Sequence, residues 1–124
     1  DYDAFYESEI RMRRLRRYPP FADLFSFTVT GADESRVIRA AKALRDALGY
    51  AVERREELKP LSIEVLGPAG ASVVKVNNRY RYRVFLVGKG CPALRRLVAE
   101  YLYAFYQHKE NRGLDIFADC NAIQ

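Results

Sequence analysis

From Lys75 to Arg83 the chain reads Lys-Val-Asn-Asn-Arg-Tyr-Arg-Tyr-Arg, a run of cations and stackable rings suited to holding a polyanion that carries planar bases. Successive side chains of an extended strand point to opposite faces. Arg79, Arg81 and Arg83 would therefore share one face, and Tyr80, Tyr82, Val84 and Leu86 the other. If the second set packs into a core, the guanidinium groups line an open face together with Phe85, and Lys75, Tyr80 and Tyr82 complete a candidate nucleic-acid-binding set. Residue types alone leave a solvated basic strand with ordinary tyrosine packing as an equal alternative. A second cluster holds five arginines between Arg11 and Arg17, of which Arg14 and Arg17 are candidates for nucleic acid. Its alternative is a helix end satisfying its own dipole, with Glu7 pairing to Arg11 at i,i+4.

Catalytic chemistry is not legible, and no catalytic residue is assigned. Gly67-Pro68-Ala69-Gly70-Ala71-Ser72 has neither the GxxxxGK[ST] spacing of a phosphate loop nor the GxGxxG of a dinucleotide site, and reads as a turn between strands. Gly88-Lys89-Gly90 before a helix could offer amides to a phosphate, but reads first as a strand-to-helix turn. His108 is the sole histidine and suits a helix end better than a general base. Cys91 and Cys120 are isolated, without CxxC spacing, so neither metal nor cofactor is expected, and a cytosolic chain would keep both thiols reduced.

The elements that must position these residues fit one domain. The 124 residues are 49% hydrophobic and 30% charged, a mixture of the globular class, and no apolar run approaches the roughly 20 residues of a spanning helix. Lys and Arg number 21 against 16 Asp and Glu, a net charge of +5 that favours an anionic partner. The chain starts Asp1-Tyr2-Asp3, its only Met is Met12, and nothing resembles a secretion signal, so a piece cut from a larger intracellular protein is expected.

Tyr2, Phe5, Tyr6, Glu9, Ile10 and Arg13 recur at helical spacing until Pro19-Pro20 stops the helix. Ala22 to Thr30 alternates as a strand. Asp33 is a plausible cap for a helix whose stripe is Val37, Ala40, Ala41, Leu44, Ala47 and Leu48, ending near Leu48. Gly49 to Pro60 stays open between helix and loop. Ser62 to Leu66 reads as a short strand stopped by Gly67-Pro68. Val73 to Val87 reads as a long strand in which Asn77-Asn78 is a bulge or a hairpin tip. Pro92 opens a helix carrying Leu94, Leu97, Val98, Tyr101, Leu102 and Phe105, and Leu114 to Asp119 is the last strand. Two helices with one apolar stripe each must cover a sheet. The expectation is an α+β, ferredoxin-like βαββαβ sandwich: a four-stranded sheet of order 4-1-3-2, two helices on one face, and an extra N-terminal helix. Residues 1–20 would be a connecting helix with its Pro-Pro element, and 21–124 the core.

Three stretches in order, Tyr18-Pro19-Pro20-Phe21 after its arginine-rich helix, Leu66-Gly67-Pro68, and Tyr80-Arg81-Tyr82-Arg83, resemble the C-terminal domain family of primosomal protein N′ (PriA). Where that family ends in an Asp-Val-Asp-Pro run, this chain has Phe117-Ala118-Asp119-Cys120. The resemblance implies a non-catalytic, DNA-binding module of a cytoplasmic, superfamily 2, 3′-to-5′ DNA helicase that restarts replication at stalled forks. ATP, Mg and Zn sites are then expected in the parent's other domains, with no cofactor here. Implied partners are single-stranded or branched DNA, single-stranded DNA-binding protein, other primosome proteins and the remaining helicase domains, with no membrane. The family's tail-binding Arg and Gln match Cys91 and Arg95, which makes Arg95 and Arg96 the candidate partner-binding residues. The alternative function is a purely protein-interacting module that docks the acidic tail of single-stranded DNA-binding protein without touching DNA.

Overall fold

The computed structural model describes residues 23–122, with side chains described except at 72–74 and 121–122. The expected leading helix, the Pro-Pro element, Arg14 and Arg17 lie outside the described residues. In chain order the elements are β1 (Asp23–Gly31), α1 (Glu34–Arg54), β2 (Glu64–Val76), β3 (Arg79–Gly88), α2 (Pro92–Gln107) and β4 (Asp115–Ala122), with short 3-10 turns at Lys59–Leu61 and Lys109–Asn111.

Alternation in β1 decides the architecture. Phe25, Phe27 and Val29 enter one apolar core with Val37, Leu44 and Leu48 of α1 and with Leu94, Leu97 and Phe105 of α2, so both helices contribute to the same side of the sheet. Leu24 points the other way, into a second, smaller cluster with Leu66, Ala69, Phe85 and Val87. The sheet order is β2-β3-β1-β4 with every neighbouring pair antiparallel, which is the expected 4-1-3-2 counted from the opposite edge.

Asp33 starts α1 by accepting hydrogen bonds from the amides of Ser35 at 3.0 Å and Arg36 at 3.4 Å. The helix does not stop near Leu48 but continues to Arg54, because Ala51 and Val52 extend the buried stripe beyond Gly49. This resolves the first half of the open segment as helix. Past its end, Arg55 forms a bidentate pair with Glu100 of α2, at 2.7 and 2.6 Å, tying the two helices together.

The strand map needs one correction. Gly67-Pro68 does not end a strand: β2 passes through it as one 13-residue strand, with breaks in register between Leu66 and Ala69 and between Gly70 and Lys75. Among the described residues β2 is an edge strand, and an edge strand can absorb such irregularity because one side of its backbone has no ladder to keep. Gly67 is required where it stands: its φ is +98°, and a Cβ there would lie 2.8 Å from the Arg83 carbonyl. Arg45 of α1 donates to the Gly67 carbonyl at 3.1 Å and so holds the irregular stretch from the helix side. Asn77-Asn78 is the hairpin tip, with φ values of 52° and 62°, as a two-residue turn of the primed type requires.

Candidate nucleic-acid interface

The alternation read from sequence holds in β3. Tyr80 and Tyr82 pack against the helix-side core with Val84 and Leu86, while Phe85 and Val87 join the outer cluster. Arg79, Arg81 and Arg83 therefore share the outer face, but none of them is a free, exposed cation. All three are half-buried. Arg79 donates to Asp115 Oδ2 of β4 at 2.9 Å and to the Thr30 hydroxyl at 3.2 Å, reaching across β1 to do so. Its side chain retains 38% exposure.

The outer face is also closed at its centre. Thr28 and Thr30 are buried although alternation points them outward, and Phe85, expected beside the arginines as an accessible ring, is only 2% exposed. The expectation of an available Phe85 is overturned, and the face is open only in part: a small apolar cluster covers one end of it, while Asp115, Phe117 and Asp119 of β4 stay exposed.

Of the remaining candidates, Lys75 is exposed near the hairpin tip, with its ammonium 5.2 Å from the Tyr80 ring centroid. Tyr82 donates its hydroxyl to Glu34 Oε2 at 2.6 Å, a bond that points it toward α1 and away from the arginine face. Arg95 and Arg96 are both exposed in the first turns of α2, where the helix dipole adds to their charge. Cys91 is the cap residue of that helix and contributes no side-chain hydrogen bond. Cys120 is a free thiol pushed above its ordinary pKa, by burial first and by the nearby Asp23 second, with Arg95 acting in the opposite direction. Such a thiol stays protonated at neutral pH and is a poor nucleophile. His108 stands exposed immediately after α2, at the helix end expected for it. Among the described residues, no group of three or more His, Cys, Asp or Glu could hold a metal ion.

Two features escaped sequence reasoning. Phe117 projects from the outer face of β4 with 47% exposure, because Ile116 and Ala118 on either side face the helix-side core. Tyr106 of α2, 53% exposed, reaches the margin of the same strand. Its hydroxyl accepts the Ile116 amide proton at 3.0 Å and lies 3.4 Å from Asp115 Oδ1. Alternation of Asp115, Phe117 and Asp119 against Ile116 and Ala118 was the available signal for the first; nothing local indicated the second. A cavity of about 380 Å³ between α1 and the turn before β4 is lined by Arg36, Arg39, Ala40, Ala43, Lys109 and Glu110. Two of its cations are already occupied: Arg36 donates to the Glu110 and Arg112 carbonyls at 2.8 and 2.7 Å, and Arg39 to the Ser35 carbonyl at 3.4 Å.

Arg79, Asp115 and the Tyr106 hydroxyl thus meet at one corner of the sheet, with Phe117 two residues further along β4. The family profile described as "Primosomal protein N C-terminal domain" matches residues 14–121. The chain belongs to this family. The resemblance drawn from the Tyr-Pro-Pro-Phe, Leu-Gly-Pro and Tyr-Arg-Tyr-Arg stretches is thereby borne out. Similar curated proteins include the replication restart protein PriA of Bacillus subtilis, 25% identical over 98% of this chain and 14% of the relative. The probable replication restart protein PriA of Deinococcus radiodurans is 36% identical over 77% of this chain and 10% of the relative. That of Rickettsia felis is 28% identical over 70% of this chain and 12% of the relative. The chain therefore matches between 10% and 14% of the length of these relatives. No helix among the described residues is long and apolar enough to cross a membrane.

Proposed function

We propose that this chain is a non-catalytic module of a primosomal replication-restart DNA helicase in the cytoplasm, binding single-stranded or branched DNA and docking partner proteins. Membership of the primosomal C-terminal domain family carries the reading. The residues consistent with it stand at the hairpin end of the sheet, where half-exposed Arg79 lies on the outer face and exposed Lys75, beside Tyr80, on the helix side. The βαββαβ order and antiparallel 4-1-3-2 sheet support a ferredoxin-like scaffold beneath it. ATP, Mg and Zn belong, in this proposal, to other domains of the parent protein.

The test is fluorescence anisotropy of labelled single-stranded and forked oligonucleotides, with the chain and with a Lys75→Ala plus Arg79→Ala variant. The expected result is micromolar or weaker binding that falls steeply with salt, and a salt slope shallower by roughly 0.7 per lost phosphate contact on a single strand in the variant. Equal affinity and equal slope for both proteins would remove the site.

A second reading is supported by the exposure of Arg95 and Arg96 at the positive end of α2. In it, the domain docks the acidic tail of single-stranded DNA-binding protein without touching DNA itself. A tail peptide that binds the chain, combined with no binding of any oligonucleotide, selects this reading. Arg95→Glu with Arg96→Glu then abolishes the peptide complex.

A further inference from the structure

Two exposed rings flank β4 from opposite sides of the sheet, Phe117 on the outer face and Tyr106 from α2 on the helix side. Phe117 is fixed on the outer face by the inward packing of its neighbours Ile116 and Ala118. Tyr106 is fixed differently: its hydroxyl takes the Ile116 amide at 3.0 Å and lies 3.3 Å from the Ile116 carbonyl, and its ring meets Phe105 edge-on, while the residue as a whole keeps 53% exposure. Leaving large rings in water is unfavourable, and holding them in one orientation removes most of the entropy that a stacking ligand would otherwise lose on binding. A cation lies further along the outer face. Arg79 meets Asp115, which lies two residues before Phe117 on the same face, about 7 Å along the strand.

We infer that the outer face of this margin stacks the unpaired bases of single-stranded nucleic acid, with Phe117 as the platform, Arg79 taking a phosphate further along the strand and Tyr106 closing the strand edge. This rests on the DNA-binding reading above and deepens it by naming the base-contacting surface. Three observations favour a strand of bases over an extended peptide. The Tyr106 hydroxyl already occupies the outward amide of Ile116, so a polypeptide adding as a further strand meets a blocked position. A flat ring with a cation further along the same face fits a base and its phosphate chain. The hydroxyl of Thr30 also holds Arg79 at 3.2 Å, so its guanidinium stays at the corner when a phosphate competes for the Asp115 contact. The exposed carboxylate of Asp119, on the other side of Phe117, sets the direction: the phosphate chain passes on the Arg79 side.

The chain contains no Trp, so Phe117→Trp creates a single fluorescent reporter at the proposed contact. Titration with an oligothymidylate is expected to quench that reporter along the same isotherm that anisotropy measures for the wild-type chain. Phe117→Ala and Phe117→Leu are expected to weaken the complex by roughly five- to a hundredfold, and Phe117→Tyr to preserve it. An abasic strand of equal length supplies the phosphates without the bases, and its weaker binding should be indifferent to Phe117→Leu. Circular dichroism melts establish that each variant is folded, and Phe117→Leu keeps apolar volume if alanine does not fold. Wild-type binding with an unquenched reporter and unaffected Phe117→Leu overturns the stacking surface and leaves the DNA-binding reading standing. Equal losses for abasic and normal strands overturn stacking as the mechanism, and no binding of any oligonucleotide by the wild-type chain overturns both readings together.

Discussion

The arginine strand and the β4 margin lie on the same face of one sheet and reverse the expectation that charge is offered and rings are hidden. In β3 the guanidiniums of Arg79, Arg81 and Arg83 are half-buried, and Phe85 beside them is sealed. In β4 Phe117 is open, and the nearby Asp115 is spent on Arg79. Position in the sheet accounts for the difference. Among the described residues β3 is an inner strand with neighbours on both sides, whereas β4 is an outermost strand with one. A long cation on an inner strand finds carbonyls, hydroxyls and carboxylates within reach and uses them; a ring on an outer strand has fewer neighbours to cover it. What a residue can bind thus depends on its depth and neighbours as much as on its type.

Stability separates the two kinds of aromatic position most widely. Phe27→Ala, in the fully buried helix-side core, is expected to cost about 3–5 kcal/mol, while Phe117→Ala stays within about 0.5 kcal/mol in urea denaturation. A Phe117→Ala loss as large as that of Phe27 would mean that the margin is part of the core. Next, Gly67→Ala introduces a side chain at φ +98° and 2.8 Å from the Arg83 carbonyl, and is expected to cost about 1–3 kcal/mol. Its effect on oligonucleotide affinity at matched folded fraction measures how far the seating of β2 against β3 sets the basic side of the comparison.

Asp115→Asn acts on the link between the two regions. Arg79 loses its carboxylate, and affinity for single-stranded DNA should rise by up to about fivefold at low salt, with a steeper salt dependence. Unchanged affinity would mean that Arg79 does not meet phosphate. The smallest effect concerns the pair that ties the helices. Glu100 has its pKa lowered, first by the hydrogen bond from Arg55 and then by the Arg55 charge, with burial opposing them. A folded pKa below the unfolded value gives stability that is present above the unfolded value of about 4.5 and fades as pH falls below it. Both partners are substantially exposed, so Glu100→Gln should remove less than about 1 kcal/mol near neutral pH and flatten the stability profile on the acid side.

The sequence was most informative where one period dominated. Phe25, Phe27 and Val29 alternate without interruption, and the stripes from Val37 to Leu48 and from Leu94 to Phe105 each specify one helical face. Strand order followed from the number and order of those elements. Glycine and proline misled at β2: Gly67-Pro68 resembles a stop, yet an outer strand tolerates it when Arg45, 22 positions earlier, holds the carbonyl. Periodicity assigned the Arg79, Arg81 and Arg83 side chains to the correct face, but it carries no information about depth. Asp115, the partner of Arg79, lies 36 residues further along the chain, and only the completed sheet brings them together. Phe117 was missed for a related reason, since a ring on a strand is ordinarily packed and only the shortage of neighbours at β4 leaves it open.

The pairing of β1 with β4 also bears on the order of folding events. Asp23 stands opposite Ala122 and Thr30 opposite Asp115, so the earliest described segment waits for the latest one to finish its surroundings. Arg36 reinforces that dependence by reaching carbonyls 74 and 76 positions away. During synthesis the two helices can form and begin to collapse on β1 and β3, but the final cooperative state needs β4, which is made after all of them. Such long-range closure slows folding relative to a helical bundle of equal size, and makes the arrival of the final strand the commitment step.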